Sequence, residues 1–369
     1  RAFAKTTNAF ANTGDGMAIA YRAGAILSDM EFVQFHPTTL YGTNVLISEA
    51  ARGEGGYLRN KDGERFMARY APQKMELAPR DLVSRAIFKE IKEGRGIEGK
   101  YVHLDLTHLG EELLQQRLPQ VKDLAARYAG VDAARNPIPI EPAQHYSMGG
   151  IRTDVWGMTS IPGLLAAGEA ANVSVHGANR LGGNSLLETV VFGRRSGQRA
   201  AEIAGTERWV SLSEAAVSRY MEPWNSLLAG RTQSKQYDSP VAIQQEATSL
   251  MTRQVGVFRD GPELEDAVKR LAELKERYRR LTPPAGEQPY NYALMHYLEL
   301  GYILDLCELI ARGALRRTES RGAHFRLDYP QRDDQNWLCH TFVRRGEKGP
   351  EFSNGPVSLT HYPPQERGY

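Results

Sequence analysis

The sequence has 369 residues, enough to bury a substantial hydrophobic core and to divide into two or more domains. Its 46 lysines and arginines nearly balance 44 aspartates and glutamates, which argues against nucleic acid or an anionic membrane surface as a direct partner. The two cysteines, Cys307 and Cys339, form no C-x-x-C pair, which argues against a zinc or iron–sulfur centre held by this chain. Charged residues interrupt every apolar run, so we expect no transmembrane helix, and we expect no signal peptide.

The first segment of the chain has an α/β pattern. Gly14–Ala25 has helical apolar spacing, and Met30–Phe35 predicts a strand that ends at His36 and Pro37. No G-x-G-x-x-G motif follows a strand, so the main phosphate-binding unit of any dinucleotide site is expected elsewhere. Because residue 1 is an arginine that leads into a turn cluster, we expect this chain to be the C-terminal part of a longer one.

Residues 38–144 are richer in loops and charged turns. One clear helix starts near Pro79 and stops at Gly94, with an apolar face between them. Val102–Leu106 predicts a strand, and Asn136–Pro142 predicts a stiff extended connector that ends this block. The simplest organisation is a block inserted into an α/β domain.

After residue 149 the α/β pattern returns, and Gly163–Glu169 predicts a short buried strand followed by a glycine and an acid. The pattern from Ser211 to Leu315 is helical. After an Asp-Gly-Pro start, apolar residues recur at three- and four-residue steps through Leu264–Leu281 and predict one apolar helix face. The last residues, 316–369, predict loops with short strands.

The segment His176–Leu187 is dense in glycine, amide, hydroxyl and guanidinium groups, and an apolar helical run follows it. Glycines let the main chain approach a ligand, and free N–H groups at a helix N-terminus favour acceptor atoms. Arg180 in such a loop can clamp a carboxylate, and Glu169 upstream suits a ribityl or ribose hydroxyl. Together these features indicate a cofactor that meets an acidic substrate.

Six segments, in order, carry a resemblance to one family. They are Glu31–Thr38, Ser48–Gly56, Leu77–Asp81, Ala143–Gly150, His176–Leu187 and Glu319–His324. With them the chain resembles the flavoprotein subunit of succinate dehydrogenase and fumarate reductase and, more distantly, L-aspartate oxidase.

The resemblance implies an α/β flavin-domain remainder with an inserted α+β capping domain, followed by a helical bundle domain and a small C-terminal domain. The boundaries that we predict are 1–35 for the first part of the flavin domain, 36–148 for the capping domain, 149–207 for the return of the flavin domain, 208–316 for the helical domain and 317–369 for the C-terminal domain.

The resemblance also implies the cofactor FAD and assigns residues to a succinate and fumarate site. The family's main phosphate-binding and covalent-attachment region is absent from this chain. The carried-over flavin contacts are Asp15, Glu169, Arg180, Ser185 and Leu186. One substrate carboxylate is assigned to His36 and Ser48, where the family more often has threonine, and the other to His145 and Arg180. Arg80 is the expected proton donor or acceptor, with Glu49 and Arg52 as its relay.

The resemblance further implies partners. Electrons are expected to leave through an iron–sulfur subunit, with indirect, peripheral attachment through membrane anchor subunits at the cytoplasmic face of the inner membrane.

Two alternatives stay open. Leu46–Ala50 and Tyr57–Phe66 favour L-aspartate oxidase, whereas Tyr329–Trp337, Gly355–Val357 and the tail Pro363–Tyr369 favour the respiratory subunits. A non-catalytic fragment without its flavin half is the second alternative.

Overall fold

The computed structural model describes residues 1–207, 211–228, 238–281 and 290–365. Residue 208, at the predicted start of the helical domain, and the last four residues of the tail motif lie outside these ranges. In chain order the helices and strands are α1 (Asp15–Arg22), β1 (Leu27–Ser28), β2 (Val33–Leu40), α2 (Ala50–Gly53), β3 (Tyr57–Arg59), α3 (Met67–Tyr70), α4 (Arg80–Lys92), β4 (Val102–Asp105), α5 (Glu111–Arg117), α6 (Pro119–Ala129), β5 (Ile138–Ser147), β6 (Gly150–Arg152), β7 (Ala171–Asn172), α7 (Asn184–Thr206), α8 (Glu214–Leu228), α9 (Pro240–Gln254), α10 (Gly261–Arg279), α11 (Tyr292–Arg316), α12 (Asp334–Trp337), β8 (Cys339–Gly346) and β9 (Gly349–Pro356).

The helices that the sequence predicted most clearly are present. Helix α4 follows Pro79, and Gly94, which has a φ of 77°, lies just beyond its end. Helix α10 begins at an N-cap in which the side chain of Asp260 accepts a hydrogen bond from the N–H of Glu263. Its predicted apolar stripe faces α9 and α11, so this stripe is core packing.

A four-stranded sheet, in the order β2-β5-β4-β3, corrects two predictions for this part of the chain. The predicted connector Asn136–Pro142 belongs largely to β5, which pairs with both β2 and β4. Strand β2 does not end at His36 but runs through Pro37 to Leu40, and all eight of its residues are buried. Pro37 is tolerated because the register shifts between His36 and Thr39, where the ladder is interrupted.

The second sheet has five strands in the order β7-β6-β1-β8-β9. Strand β1 pairs antiparallel with β6 on one side and with β8 on the other. The predicted short C-terminal strands are therefore wrong in length, because β8 and β9 are eight residues each and form a hairpin on the edge of this sheet. Val343 in β8 is buried opposite Leu27, and this apolar pairing attaches the hairpin.

The predicted buried strand in Gly163–Glu169 is also wrong. These residues are exposed or half-buried, with one isolated bridge between Met158 and Leu165, and Gly168–Ala170 forms a 3₁₀ turn. An apolar run becomes a strand only where a neighbour offers its main chain, and β6 pairs with β7 instead.

The apolar side chains form two main cores. One lies wholly within residues 40–140, around the four-stranded sheet and α4. The other joins residues 3–35 to the helices α9, α10 and α11 and to Val343. This separation agrees with an inserted block, whereas the predicted domain boundaries themselves stay predictions. Within the described ranges, no helix combines the length and the apolar character needed to cross a membrane.

Candidate functional site

An irregular pairing between β2 and β5 brings two histidines together. Gln34 pairs with Tyr146 and Phe35 with Gln144, so His145 is an extra, bulged residue in β5. The bulge turns its side chain toward β2, where the ring centroids of His36 and His145 are 5.1 Å apart. Two predicted carboxylate ligands, more than 100 positions apart in sequence, therefore share one site.

Both imidazoles are neutral at pH 7. Burial, followed by the positive charge of Arg80, holds the pKa of His36 well below its usual value. Burial, Arg80 and Arg180 together lower the pKa of His145 to about 3. The rings therefore act as hydrogen-bonding groups and not as cations. Nδ1 of His145 lies 2.8 Å from the hydroxyl of Thr7, which fixes the orientation of that ring.

The two arginines of the site share one acceptor. Oε1 of Gln34 accepts hydrogen bonds from Nη1 of Arg80 and from Nη2 of Arg180, each at 3.2 Å. Gln34 has no exposed surface, and the two arginines are 9% and 4% exposed, so water does not screen their repulsion well. A neutral amide oxygen thus holds two like charges close together.

The remaining hydrogen bonds of Gln34 fix this arrangement. Its Nε2 donates to Oδ1 of Asn179 at 2.8 Å and to the carbonyl of Arg180 at 2.6 Å. Asn179 in turn donates to Oδ1 of Asp81 at 2.8 Å. Neither Gln34 nor Asn179 was among the predicted site residues. A usable signal was present, since Gln34 lies two positions before His36 and shares its face of the strand.

The predicted relay residues are in contact with each other. Nε of Arg80 donates to Oε2 of Glu49 at 2.9 Å, and Nη2 of Arg52 lies 3.5 Å from Oε1 of the same carboxylate. The side chain of Glu49 is 40% exposed whereas Arg52 is buried, so the carboxylate connects Arg80 with solvent. A Cβ added to Gly182 would lie 3.1 Å from Oε2 of Glu49, so the glycine-rich loop closes over the relay.

The aromatic ring of Tyr146, which was not among the predicted site residues, supports Arg180. The guanidinium lies 4.3 Å from the ring centroid of Tyr146. The hydroxyl of Tyr146 donates to Glu188 at 2.9 Å, and Nε2 of His176 lies 3.0 Å from the same carboxylate oxygen. Burial lowers the pKa of Arg180, with Arg80 as the next cause.

Ser48 lies at the edge of this cluster. It is exposed, and its hydroxyl accepts a hydrogen bond from the N–H of Ala50 at 3.2 Å. The neighbouring residue Ile47 exchanges hydrogen bonds with Thr38, which keeps the loop beside β2. In the described ranges Ser48 makes no hydrogen bond with His36, so its assignment to a shared carboxylate stays a prediction.

The predicted flavin contacts divide between a cavity and a helix end. Asp15 and Glu169 line a cavity of about 380 Å³, in which burial raises the pKa of Glu169. Ser185 and Leu186 lie in the first turn of α7, which packs against the turn that carries Glu169. Gly183, at the N-cap of α7, has a φ of 81° and provides no side-chain cap. The N–H groups of Asn184 and Leu186 donate to the carbonyls of Leu181 and Gly183, whereas the N–H of Ser185 has no acceptor among the described residues and is open to a ligand.

These groups fit a flavin nucleotide. Carboxyl groups accept from ribityl and ribose hydroxyls, and open N–H groups donate to carbonyl or phosphate oxygens. Nε of Arg180, buried beside this loop, has no hydrogen-bond partner among the described residues and offers a further donor.

Comparisons with known proteins agree with this geometry. The FAD binding domain family matches residues 1–186, and the family of the fumarate reductase flavoprotein C-terminus matches residues 244–369. The fumarate reductase flavoprotein subunit of Haemophilus influenzae is 44% identical over 387 aligned positions, which cover 100% of this chain and 64% of that protein. The succinate dehydrogenase flavoprotein subunit of Coxiella burnetii is 43% identical, with the same coverage of 100% and 64%.

A solved structure confirms the fold class. The FrdA chain of Escherichia coli quinol fumarate reductase, in a mutated form, superposes with a TM-score of 0.93 at 40% identity. The alignment covers 100% of this chain and 66% of that one. The chain therefore spans slightly less than two thirds of the length of the relatives that it matches. The chain belongs to the FAD binding domain family, in the group typified by the fumarate reductase and succinate dehydrogenase flavoproteins.

Proposed function

We propose that this chain carries the dicarboxylate site and part of the flavin site of an FAD-dependent enzyme that interconverts succinate and fumarate. One observation carries the proposal, namely the excess of buried positive charge. The guanidinium groups of Arg52 and Arg80 form ion pairs with one carboxylate, Glu49, and that of Arg180, which shares the acceptor Gln34 with Arg80, forms no ion pair among the described residues. Burial is the main cause of the lowered pKa values of both histidines, and the positive charge of Arg80 lowers them further. A small dianion supplies the missing negative charge.

The site residues divide between binding and proton transfer. Arg180 and His145 suit one carboxylate of the substrate, and His36 with Ser48 suits the other. Arg180 lies on the face of Tyr146 and is held by Gln34, so its guanidinium is oriented before substrate arrives. FAD, when bound, supplies the acceptor or donor of the hydride.

Arg80 is the proposed proton donor or acceptor. A guanidinium hardly deprotonates by itself, so this role requires a base that exchanges the proton at once. Oε2 of Glu49 lies 2.9 Å from Nε of Arg80 and reaches solvent, and the cation of Arg52 stabilises that carboxylate. The contacts support a relay from solvent through Glu49 to Arg80.

Ligand affinity tests the dicarboxylate site. Calorimetry should show that malonate and fumarate bind more tightly than acetate, because only a dianion engages both ends of the site. Arg180→Ala should weaken malonate binding by at least about 10-fold, through loss of a charge-assisted bidentate contact. Arg127→Ala, at an exposed ion pair with Asp123, is the matched control and should change nothing. Equal affinity for malonate and acetate would contradict the proposal, and preferential binding of L-aspartate would favour the oxidase alternative.

A visible spectrum tests the flavin and the reaction. A flavin band in the purified chain supplied with FAD, bleached by anaerobic succinate, is the expected result. A band that succinate leaves unchanged would contradict the activity. No flavin uptake together with tight malonate binding would favour the fragment alternative, in which the site needs a further flavin-binding portion.

Partner subunits form the last part of the proposal. We infer that electrons pass to an iron–sulfur subunit and that further subunits attach the complex peripherally to the cytoplasmic face of the inner membrane. The support is that similar chains belong to quinol fumarate reductase and succinate dehydrogenase. Within the described ranges no cluster of histidine, cysteine and acidic residues suits a metal ion. A pull-down from native membranes should recover an iron–sulfur protein, and its absence would count against the inference.

A further inference from the structure

Three residues from distant segments meet beside a cavity of about 600 Å³ that lies outside the dicarboxylate site. The hydroxyl of Ser174 lies 3.1 Å from Nε2 of His340, and Nδ1 of His340 lies 2.6 Å from Oδ2 of Asp29. Because a carboxylate only accepts, Nδ1 carries the hydrogen and Nε2 is free to accept from the serine. A serine, a histidine and an aspartate in this order have the connectivity of a hydrolytic triad.

The aspartate and the imidazole are held firmly. Asp29 is 6% exposed, and its Oδ1 accepts from the N–H of Thr341 at 3.0 Å. Its Oδ2 also accepts from Nδ2 of Asn172 at 3.0 Å. The ring of His340 stacks on Phe342, with centroids 5.9 Å apart. The carboxylate therefore fixes both the tautomer and the direction of the imidazole.

The backbone at both ends of this trio is strained. Ser174 has a φ of 70° and Asp29 a φ of 57°, and they are two of six non-glycine residues with positive φ in the described ranges. Each such conformation costs about 1–3 kcal/mol and is found preferentially at functional sites. Ser174 is exposed on the turn after β7, so the strained turn presents its hydroxyl to the cavity.

Donors for a developing oxyanion follow the serine directly. The N–H groups of Val175, His176 and Gly177 have no acceptor among the residues that the structure describes. Successive free N–H groups next to a nucleophile are the arrangement that stabilises a tetrahedral intermediate. The cavity also offers an apolar wall for the acyl or aryl part of a substrate, formed by Phe32, Phe325, Trp337 and Leu338.

We propose that Ser174, His340 and Asp29 form a second site, in which Ser174 is a nucleophile toward small carboxylic esters. The serine oxygen bonds to the ester carbonyl carbon while Nε2 of His340 takes the hydroxyl proton. The bond from that carbon to the alcohol oxygen then breaks, and the imidazolium returns the proton to the leaving alcohol. Water repeats the sequence on the acyl-serine, which releases the acid and regenerates Ser174. No oxidant or reductant is needed, so the site is independent of the flavin chemistry.

A fluorophosphonate probe and p-nitrophenyl acetate test the proposal on the chain as it stands. Peptide mapping should place the phosphonate on Ser174, and Ser174→Ala should abolish both labelling and ester hydrolysis. Asp29→Asn suits the same left-handed backbone. The N–H of Thr341 should hold the new amide oxygen, so the amide NH2 faces Nδ1 of His340 and favours the wrong tautomer, and labelling should slow by at least about 100-fold. Ser353→Ala, at an exposed serine of β9, is the matched control and should react like the wild type.

Circular dichroism establishes that each variant is folded. Absence of labelling in the folded wild type would overturn the proposal. Labelling that persists in folded Ser174→Ala, or an unchanged rate in Asp29→Asn, would also overturn it.

Discussion

Gln34→Met removes the acceptor that Arg80 and Arg180 share while nearly preserving the length of the side chain. The wild-type amide makes two hydrogen bonds with guanidinium groups, each worth about 1.5–3 kcal/mol. The groups are deeply buried, so water replaces neither bond. The variant should therefore lose about 3 kcal/mol or more of local stability.

Repulsion adds to this loss. Both guanidinium nitrogens bond to one oxygen, so they lie roughly 6 Å apart or less, where two unit charges repel by about 3 kcal/mol at an effective dielectric constant of about 20. Without the amide oxygen, Arg80 and Arg180 should move apart. One misplaced charge-assisted contact then weakens a bound dicarboxylate by roughly 10- to 100-fold.

The assay pairs calorimetry of malonate binding with thermal unfolding followed by circular dichroism. Both the affinity and the unfolding midpoint should fall in Gln34→Met. Gln115→Met, at an exposed position of α5, is the control and should leave both unchanged. Wild-type malonate affinity in folded Gln34→Met would refute the idea that the shared acceptor positions the two arginines.

Three further predictions concern the relay and the histidines. Arg80→Lys should nearly abolish turnover of the FAD-loaded enzyme but change malonate affinity only a few-fold, because an ammonium cannot reproduce the planar geometry of the guanidinium. Near-wild-type turnover in this variant would remove Arg80 from the mechanism. In Gly182→Ala the new Cβ would lie 3.1 Å from Oε2 of Glu49 and 3.3 Å from Nη2 of Arg80, so steady-state kinetics should show a lower kcat with little change in the unfolding midpoint. The pKa of His145 is about 3 in the folded chain and near 6.5 in the unfolded chain. As the pH drops, the unfolded state therefore binds the proton first, and the free energy of unfolding falls between about pH 6.5 and pH 3. In His145→Asn, unfolding midpoints measured between about pH 7.5 and pH 4.5 should depend less on pH, and an unchanged dependence would contradict the buried neutral imidazole.

Local patterns were sufficient for the elements with strong local causes. The apolar spacing between Pro79 and Gly94 predicted α4, and the Asp260 cap with its following stripe predicted α10. The motifs also predicted residues that the structure joins in one cluster, including the contacts of Arg80 with Glu49. Their catalytic roles remain predictions that the experiments above test.

The failed predictions share one physical cause, which is that strand pairing depends on partners far along the chain. Pro37 and the prolines of β5 suggested a strand end and a connector, but a register shift and two paired neighbours made both segments strands. The apolar run before Glu169 found no such neighbour and stayed irregular.

The sequence by itself determined α4 and α10, the inserted block and the chemical inventory of the site, because spacing, caps and motifs are local properties, whereas α5 and α6 were not predicted. Only the tertiary structure decided how that inventory is arranged. The bulge at His145 turns one imidazole toward another, and Gln34 becomes the common acceptor of two arginines. The contact of Ser174 with His340 likewise exists only because the C-terminal hairpin pairs with β1. Register and long-range pairing set these distances, and no local pattern encodes them.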